Sequence, residues 1–352
     1  MDINNLLKLA AEKKASDIHL LYGQLPILRI DGELFDLNQI IKDGGFTRLN
    51  AVDLENFVDV ILDKDQKKRF FDKRDLDLGY QVGEYRSRLN FSFERNNIKL
   101  VGRVIREQEP TLAEIGMPDV IEKLMNLHQG LILVTGPTGC GKSTTLAAMI
   151  NHINTNKSAN IITLEDPVEY IFKSKNSIIS QRQLGTDMIS FASGLKHVLR
   201  QDPNVIMIGE MRDLETISAA VTLAETGHLV LATLHTYSAA QTVDRIIDIF
   251  PADQQNQIKS QLSFVLAAVI SQRLLPKIGG GRIAAREILL NNSATANLIR
   301  EGKIAQIKSV IETGSTAGMI TLDKHIKQLY QEGLISKESA LSQMEDPGSL
   351  DG

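Results

Sequence analysis

Residues 136 to 143 read Gly-Pro-Thr-Gly-Cys-Gly-Lys-Ser, directly after the apolar run Leu131-Ile-Leu-Val-Thr135. A Gly-rich turn between a strand and a helix can point backbone N–H groups inward around a triphosphate. Lys142 then supplies a cation to the β- and γ-oxygens and Ser143 a hydroxyl for Mg²⁺. Gly136, Gly139 and Gly141 allow backbone angles that a side chain forbids. Pro137, Thr138, Cys140 and Thr144 complete the loop and the helix start, and Leu146-Ala-Ala-Met-Ile150 continues the helix. The pattern and both flanks coincide, so a chance Gly-rich turn is the weaker reading and nucleotide hydrolysis the leading one.

Hydrolysis needs more than a cradle: a held metal ion, an oriented water and positive charge on the γ-phosphate. Three later segments carry those residue types. Ile161-Ile-Thr-Leu-Glu165-Asp166-Pro167 sets two acids just past an apolar strand, at the edge that faces ligand in a parallel sheet. Glu165 is a candidate for the metal shell or a water; the competing role is a turn cap. Val205-Ile-Met-Ile-Gly209-Glu210 is a second apolar strand ending in an acid, with Gly209 where many nucleotide hydrolases carry the metal-holding Asp. Glu210 is therefore the choice for the carboxylate that polarises the attacking water. The pairing of Arg212, with Asp213 or with a neighbouring subunit, stays open. Finally, His228 and His235 flank the apolar run 229–234. Either imidazole can donate to a phosphate oxygen as a γ-phosphate sensor. No carboxylate or cysteine at ligand spacing makes them a metal pair.

These residues need elements to hold them. From about 112 onward strands and helices alternate, the mark of an α/β domain with a parallel sheet. Expected core strands are 131–135, 160–164, 204–208 and 229–234, with helices near 142–153, 188–200, 213–224 and 239–248. The first hundred residues read as α+β: a helix over 4–14, strands at 17–21 and 27–31, helix over 53–70, and strands at 84–91 and 99–105. Tyr85, Leu89 and Phe91 alternate with Arg86, Arg88 and Asn90. Polar, Pro-broken residues at about 106–111 suggest a linker. The tail from 292 reads as a helical cap.

The chain has 352 residues, enough for about two domains. A formal net charge of −4 argues against a sequence-independent grip on nucleic acid. The single cysteine, Cys140, excludes an intrachain disulfide and a cysteine zinc cage. No apolar stretch reaches membrane-spanning length and no signal peptide opens the chain, so a cytoplasmic protein that meets a membrane only through partners is expected.

Taken together, the loop at 136–143, the acidic box at 161–170, the atypical Walker B segment at 205–213 and the histidine box at 226–236 resemble the motor ATPases of the secretion superfamily, which serve type II secretion and type IV pili. Ala15-Ser-Asp-Ile-His19 extends the resemblance toward the start. The chain looks like the retraction (PilT-type) branch in lacking the four-cysteine loop typical of extension motors. Ala294-Thr-Ala-Asn-Leu-Ile-Arg-Glu301 is similar to that branch's AIRNLIRE helix, with Thr295-Ala296 in place of Ile-Arg, and 318–323 looks like its tail. An ordinary amphipathic packing helix is the competing account of 294–301.

The resemblance implies a PAS-like N-terminal α+β domain (1–106), a linker (107–112), a RecA-like P-loop core (113–291) and a C-terminal helical region (292–352). It implies a homo-hexameric ring that hydrolyses ATP with Mg²⁺ and turns N-terminal domains against cores about the linker. The motion would act on a PilC-like inner-membrane platform protein and, through it, on pilin, retracting the pilus. Arg86, Arg88 and Arg103 match the arginines that reach the phosphates in the family, against a role as solvated strand charges; Arg95 and Arg106 are weaker candidates. Cys140 stands where the family usually has serine, which predicts a thiol beside the nucleotide whose alkylation blocks binding. The alternatives are a motor for type IVB secretion, conjugation or type II secretion, and a weakly hydrolysing ATP-binding regulatory subunit. A DNA translocase is disfavoured by the acidic balance.

Overall fold

The computed structural model describes residues 1–30, 32–41, 44–105 and 109–350. The chain forms two compact units: Met1–Glu109 with Pro167–Ile171, and Pro110–Asp166 with Phe172–Gly352. Residues 106–108 of the expected linker, Arg106 among them, lie outside the described residues.

The first unit is an antiparallel six-stranded sheet with helices. Its strands are β1 (Asp17–Leu20), β2 (Ile27–Ile30), β3 (Glu33–Asp36), β4 (Asp75–Val82), β5 (Tyr85–Glu94) and β6 (Asn97–Ile105), ordered β3-β2-β1-β6-β5-β4. Alternation along β5 does what a half-buried strand requires: Leu89 and Phe91 are fully buried, while Arg86, Arg88 and Asn90 take the other face. Register sets Arg88 directly opposite Arg103. The helix expected over 53–70 is two helices, Ala51–Ile61 and Lys64–Lys73. Asp63 makes the break: its carboxylate accepts the N–H groups of Asp65 and Gln66, and Gln66 reaches back to close a capping box. Phe70 of the second helix stacks on Phe93, ring centres 4.9 Å apart.

The second unit is built on a seven-stranded sheet: β7 (Gly130–Thr135), β8 (Asn160–Glu165), β9 (Ile178–Gln183), β10 (Val205–Ile208), β11 (Leu229–Leu234), β12 (Leu266–Pro276) and β13 (Arg282–Leu290). Its order is β13-β12-β7-β11-β10-β8-β9, parallel throughout except for β13. Every residue of β7, β10 and β11 is buried, as strands covered on both faces by crossover helices must be. Parallel pairing sends the carboxyl ends of β7, β8, β10, β11 and β12 to one edge. The chain leaves β7 for β8, three positions away, and later lays β11 and β12 on its two sides. The crevice at that switch point is where a ligand belongs.

The helical tail packs on this same unit. Ile299, Ile304, Ile307 and Ile311 join the main core, and Leu322, Ile326 and Leu329 cover Leu275 and Ala285 of the β12–β13 hairpin. In the helix Ser293–Glu301, Thr295 and Ile299 are buried, and Arg300 lies 5.4 Å over the ring of the exposed Phe264. Beneath the tail, the guanidinium of Arg286 donates to the carbonyls of Ile115 (2.5 Å) and Gly116 (3.0 Å). His325 Nδ1 lies 2.9 Å from the Arg286 backbone nitrogen and 3.2 Å from its carbonyl oxygen, and a neutral imidazole is what accepts from the first. Burial, with the Arg286 charge beside it, pushes the His325 pKa from 6.5 down to about 4. A depressed pKa means that stability is complete above 6.5 and is lost as pH falls toward 4. That depression corresponds to up to about 3 kcal/mol. Thermal melts from pH 7 to 4 should show this loss in the natural chain and a flatter dependence in His325→Asn.

Among the described residues no helix is long and apolar enough to cross a membrane.

Candidate active site

The loop 136–141 leaves the end of β7 and opens the helix Lys142–Asn156. At Gly136, φ is +141°, and a Cβ there would collide with the carbonyl oxygen of Gln272 and lie 2.7 Å from Cys140 Sγ. At Gly141, φ is +91°. Only glycine takes such backbone without strain. The helix begins with no side-chain cap and no acid in its first turn, so no negative side chain competes with an anion at the positive end of its dipole. Lys142 Nζ donates to the carbonyls of Gly136 (2.8 Å) and Pro137 (3.0 Å), bending the ammonium back over the loop. Ser143 and Thr144 are partly buried in the same first turn, and the space above Gly139 is open.

The other carboxyl ends bring acids and a histidine to this edge. Glu165 closes β8, buried, and one of its oxygens accepts Thr163 Oγ1 (2.6 Å) and Gln181 Nε2 (3.1 Å). Gly209 follows β10 and packs so tightly that a Cβ would stand 3.2 Å from the Leu164 carbonyl oxygen. The position therefore holds no larger side chain without movement, and the acid falls one residue later, at Glu210. Glu210 receives Arg212 through Nη2 (2.7 Å to Oε2) and Nε (2.7 Å to Oε1), and His235 Nε2 at 3.0 Å. Asp213, the other partner considered for Arg212, instead caps the helix Leu214–Glu225 by accepting Thr216 N–H.

Burial works to raise the Glu210 pKa, but Arg212, His235 and Lys142 outweigh it and hold the carboxyl below its ordinary value. Glu210 is thus a carboxylate throughout the neutral range. Arg212→Ala removes the strongest lowering influence and leaves burial unopposed by it. The acid limb of the kcat/KM profile should then move to higher pH, as a rate–pH series would show.

His228 needs correction. It precedes β11, and its carbonyl accepts the Gly130 N–H at the start of β7. The phosphate loop begins at the other end of β7, about 16 Å away at 3.3 Å per residue. His228 Nδ1 lies 3.0 Å from the Leu223 carbonyl and 3.3 Å from Thr226 Oγ1, tying off the end of the preceding helix. A strand with a histidine at each end delivers only one of them, His235, to the carboxyl edge.

Cys140 also differs from expectation. The thiol is buried against Gly136 beneath the loop, and burial raises its pKa. Iodoacetamide should therefore modify the folded protein far more slowly than the denatured chain, which a timed mass-spectrometric assay would measure.

The three candidate arginines of the first unit are engaged within it. Arg86 donates to the Val168 carbonyl through Nε (3.3 Å) and Nη2 (3.1 Å), Arg88 pairs with Asp77 (3.6 Å) and Arg103 with Asp17 (3.1 Å).

Sequence reasoning missed the underside of the loop. Gln272 of β12 is buried; its Nε2 donates to the Cys140 carbonyl (2.8 Å) and its Oε1 accepts Thr145 Oγ1 (2.9 Å). Beside it, Ser271 Oγ and Thr135 Oγ1 are 2.8 Å apart, and Thr242 bonds Thr236 at 2.7 Å. Polar residues inside the otherwise apolar run 266–275 were the available signal.

Open space over positive-φ glycines, a capless helix start and a lysine at its first position fit a nucleotide's phosphates. The fold and this edge define a RecA-like P-loop nucleotide hydrolase core, joined to a PAS-like α+β domain and a C-terminal helical extension. The family model for type II/IV secretion system proteins matches residues 1–344, and the chain belongs to that family. It is 44% identical to the type IV pilus retraction ATPase PilT of Pseudomonas aeruginosa, over 99% of each chain. It is 43% identical to a twitching motility protein of Neisseria gonorrhoeae, over 92% of this chain and 86% of that one. Among solved structures, the pilus retraction motor PilT with bound ADP superposes with a TM-score of 0.89 at 44% identity, covering 100% of this chain and 99% of that one. The Legionella pneumophila ATPase DotB gives 0.81 at 27% identity, covering 96% and 94%.

Proposed function

We propose that this chain is a cytoplasmic ATPase that powers the retraction of a type IV pilus. The observation that carries the reading is the gathering of Lys142, Ser143, Glu165, Glu210 and His235 at one sheet edge, in a chain 44% identical end to end to a retraction ATPase. Lys142 and the loop N–H groups bind the β- and γ-phosphates. Ser143, with Glu165 nearby, would hold Mg²⁺, which when bound neutralises phosphate charge. Glu210 accepts the proton of the attacking water and His235 stands beside it to donate to the γ-phosphate. Gly136, Pro137, Thr138, Gly139, Cys140, Gly141 and Thr144 shape the cradle. The first unit contributes Arg86, Arg88 and Arg103, which exchange their present partners for phosphate when a ring of six copies closes on nucleotide.

The domain boundaries at 106, 112 and 291 belong to this reading, with residues 107–112 as hinge. Differential affinity of the open and closed arrangements for ATP and ADP is what lets hydrolysis drive motion. The load is an inner-membrane platform protein of the PilC kind, and through it pilin; the motor touches the membrane only by way of such partners. A DotB-like secretion role has weaker support, since that likeness is 27% in sequence.

The test is a deletion strain. Cells lacking the chain should carry excess surface fibres that no longer retract, and complementation should restore twitching. Bald cells, or normal pili with a lost secretion phenotype, would overturn the assignment. Steady-state ATPase activity of the purified oligomer separates a motor from a regulatory subunit.

A further inference from the structure

The phosphate loop is held from below by one side chain, that of Gln272, which lies outside the line of catalytic groups. Gln272 lies on β12, level with the start of the loop, because Ser271 pairs with Thr135 across the sheet. Its amide is 2% exposed and satisfied at both ends: Nε2 donates to the Cys140 carbonyl at 2.8 Å and Oε1 accepts Thr145 Oγ1 at 2.9 Å. Its backbone carbonyl abuts Gly136, and Nε2 would stand 3.3 Å from a Cβ on Gly141. The start, the end and the following helix turn of the loop are thus all referred to one residue of a neighbouring strand.

This contact has a directional consequence. In a planar trans peptide the C=O and the N–H point opposite ways. Fixing the Cys140 carbonyl down toward Gln272 aims the Gly141 N–H up, out of the sheet edge and toward the phosphate space. A donor already aimed costs less to recruit when an anion arrives.

We propose that Gln272 is a positioning residue for nucleotide binding: it sets the orientation of the Cys140–Gly141 peptide, and so the anion affinity of the loop, without touching the nucleotide. This rests on the reading of loop 136–143 as the ATP site.

Two substitutions test it. Gln272→Met keeps the length of the side chain and removes both hydrogen bonds. Thr145→Val removes the hydroxyl that orients the amide and leaves the donor to Cys140. In the purified full-length protein, ADP affinity is measured by calorimetry, ATP turnover by steady-state kinetics and folding by melting temperature. A freed buried carbonyl and hydroxyl should weaken ADP binding and raise the KM for ATP roughly tenfold to a hundredfold in Gln272→Met, less in Thr145→Val. The kcat at saturation should change little, because Lys142, Glu210 and His235 are untouched. Unchanged ADP affinity and KM in a folded variant overturn the proposal. So does a change confined to melting temperature, or a fall in kcat at constant KM. Should Gln272→Met not fold, Thr145→Val decides by the same criteria. Failure of the natural chain to bind ADP defeats the ATP-site reading itself, a result separate from either variant's.

Discussion

Glu210→Gln should bind ATP with near-natural affinity and lose about 10²- to 10⁴-fold in kcat, the range expected when a positioned general base is removed. Glu210 is the acid at the end of β10, charged at neutral pH, with His235 at 3.0 Å and the charge of Lys142 within reach. Glutamine keeps the size, and its one carbonyl oxygen can still accept from Arg212 Nε and His235 while the bond from Arg212 Nη2 is lost, so the fold of the edge should persist. It cannot take a proton from water. Single-turnover assays beside equilibrium nucleotide binding separate the two effects: bound, uncleaved ATP is the expected state. Turnover within a few-fold of the natural rate would remove Glu210 from this role and turn attention to Glu165, whose burial and two hydrogen bonds on one oxygen suit it better to a fixed metal-side partner.

The catalytic edge was legible in sequence because its parts are local. The phosphate loop, the acid after β10 and the histidine after β11 each sit where an apolar run stops, and parallel pairing converts three separate strand ends into one line. What sequence could not supply is which end of a strand faces the ligand. His228 and His235 bound the same apolar run, and only the register of β11 against β7 tells them apart. The strands β12 and β13 are hidden in the sequence for a related reason. Their run of Leu266 to Ile270 blends into a preceding helix that ends at Val265 with no Gly or Pro between. The glycines at 279–281, lying between two apolar segments, were the sign of the hairpin. Without β12 there was no means of seeing Gln272, since this buried partner of the loop comes from 132 residues further along the chain.

Other misses follow the same division between local and tertiary causes. The break at Asp63 was a local signal, an Asp three residues before a Gln, that a continuous helical pattern obscured. The burial of the Cys140 thiol was not local: residue type suggested a small side chain in a loop, and only the packing of Gly136 against β12 turns that side chain inward. The ion pairs of Arg88 with Asp77 and Arg103 with Asp17 come from neighbouring antiparallel strands, and an alternating pattern alone leaves an arginine's partner undetermined.

Lys142→Ala should fail at an earlier stage than Glu210→Gln. The ammonium now bridges two loop carbonyls, Gly136 at 2.8 Å and Pro137 at 3.0 Å, and so sits at the cradle with its charge poised for phosphate. A charge-assisted hydrogen bond contributes roughly 1.5–3 kcal/mol, which sets the expected loss of ATP affinity at about tenfold to a hundredfold. Hydrolysis should fall further, because charge on the γ-phosphate grows toward the transition state and Lys142 acts on it there too. Alanine favours the helix it would open, so the helix Lys142–Asn156 should persist and the melting temperature should report little change. The pair of variants then divides the cycle. Glu210→Gln loads and stalls, and Lys142→Ala fails to load, although both should leave cells hyperpiliated and non-motile if the chain retracts pili. Natural ATP affinity and turnover in a folded Lys142→Ala protein would mean that the anion is held elsewhere, and the assignment of this sheet edge as the catalytic centre would fall with it.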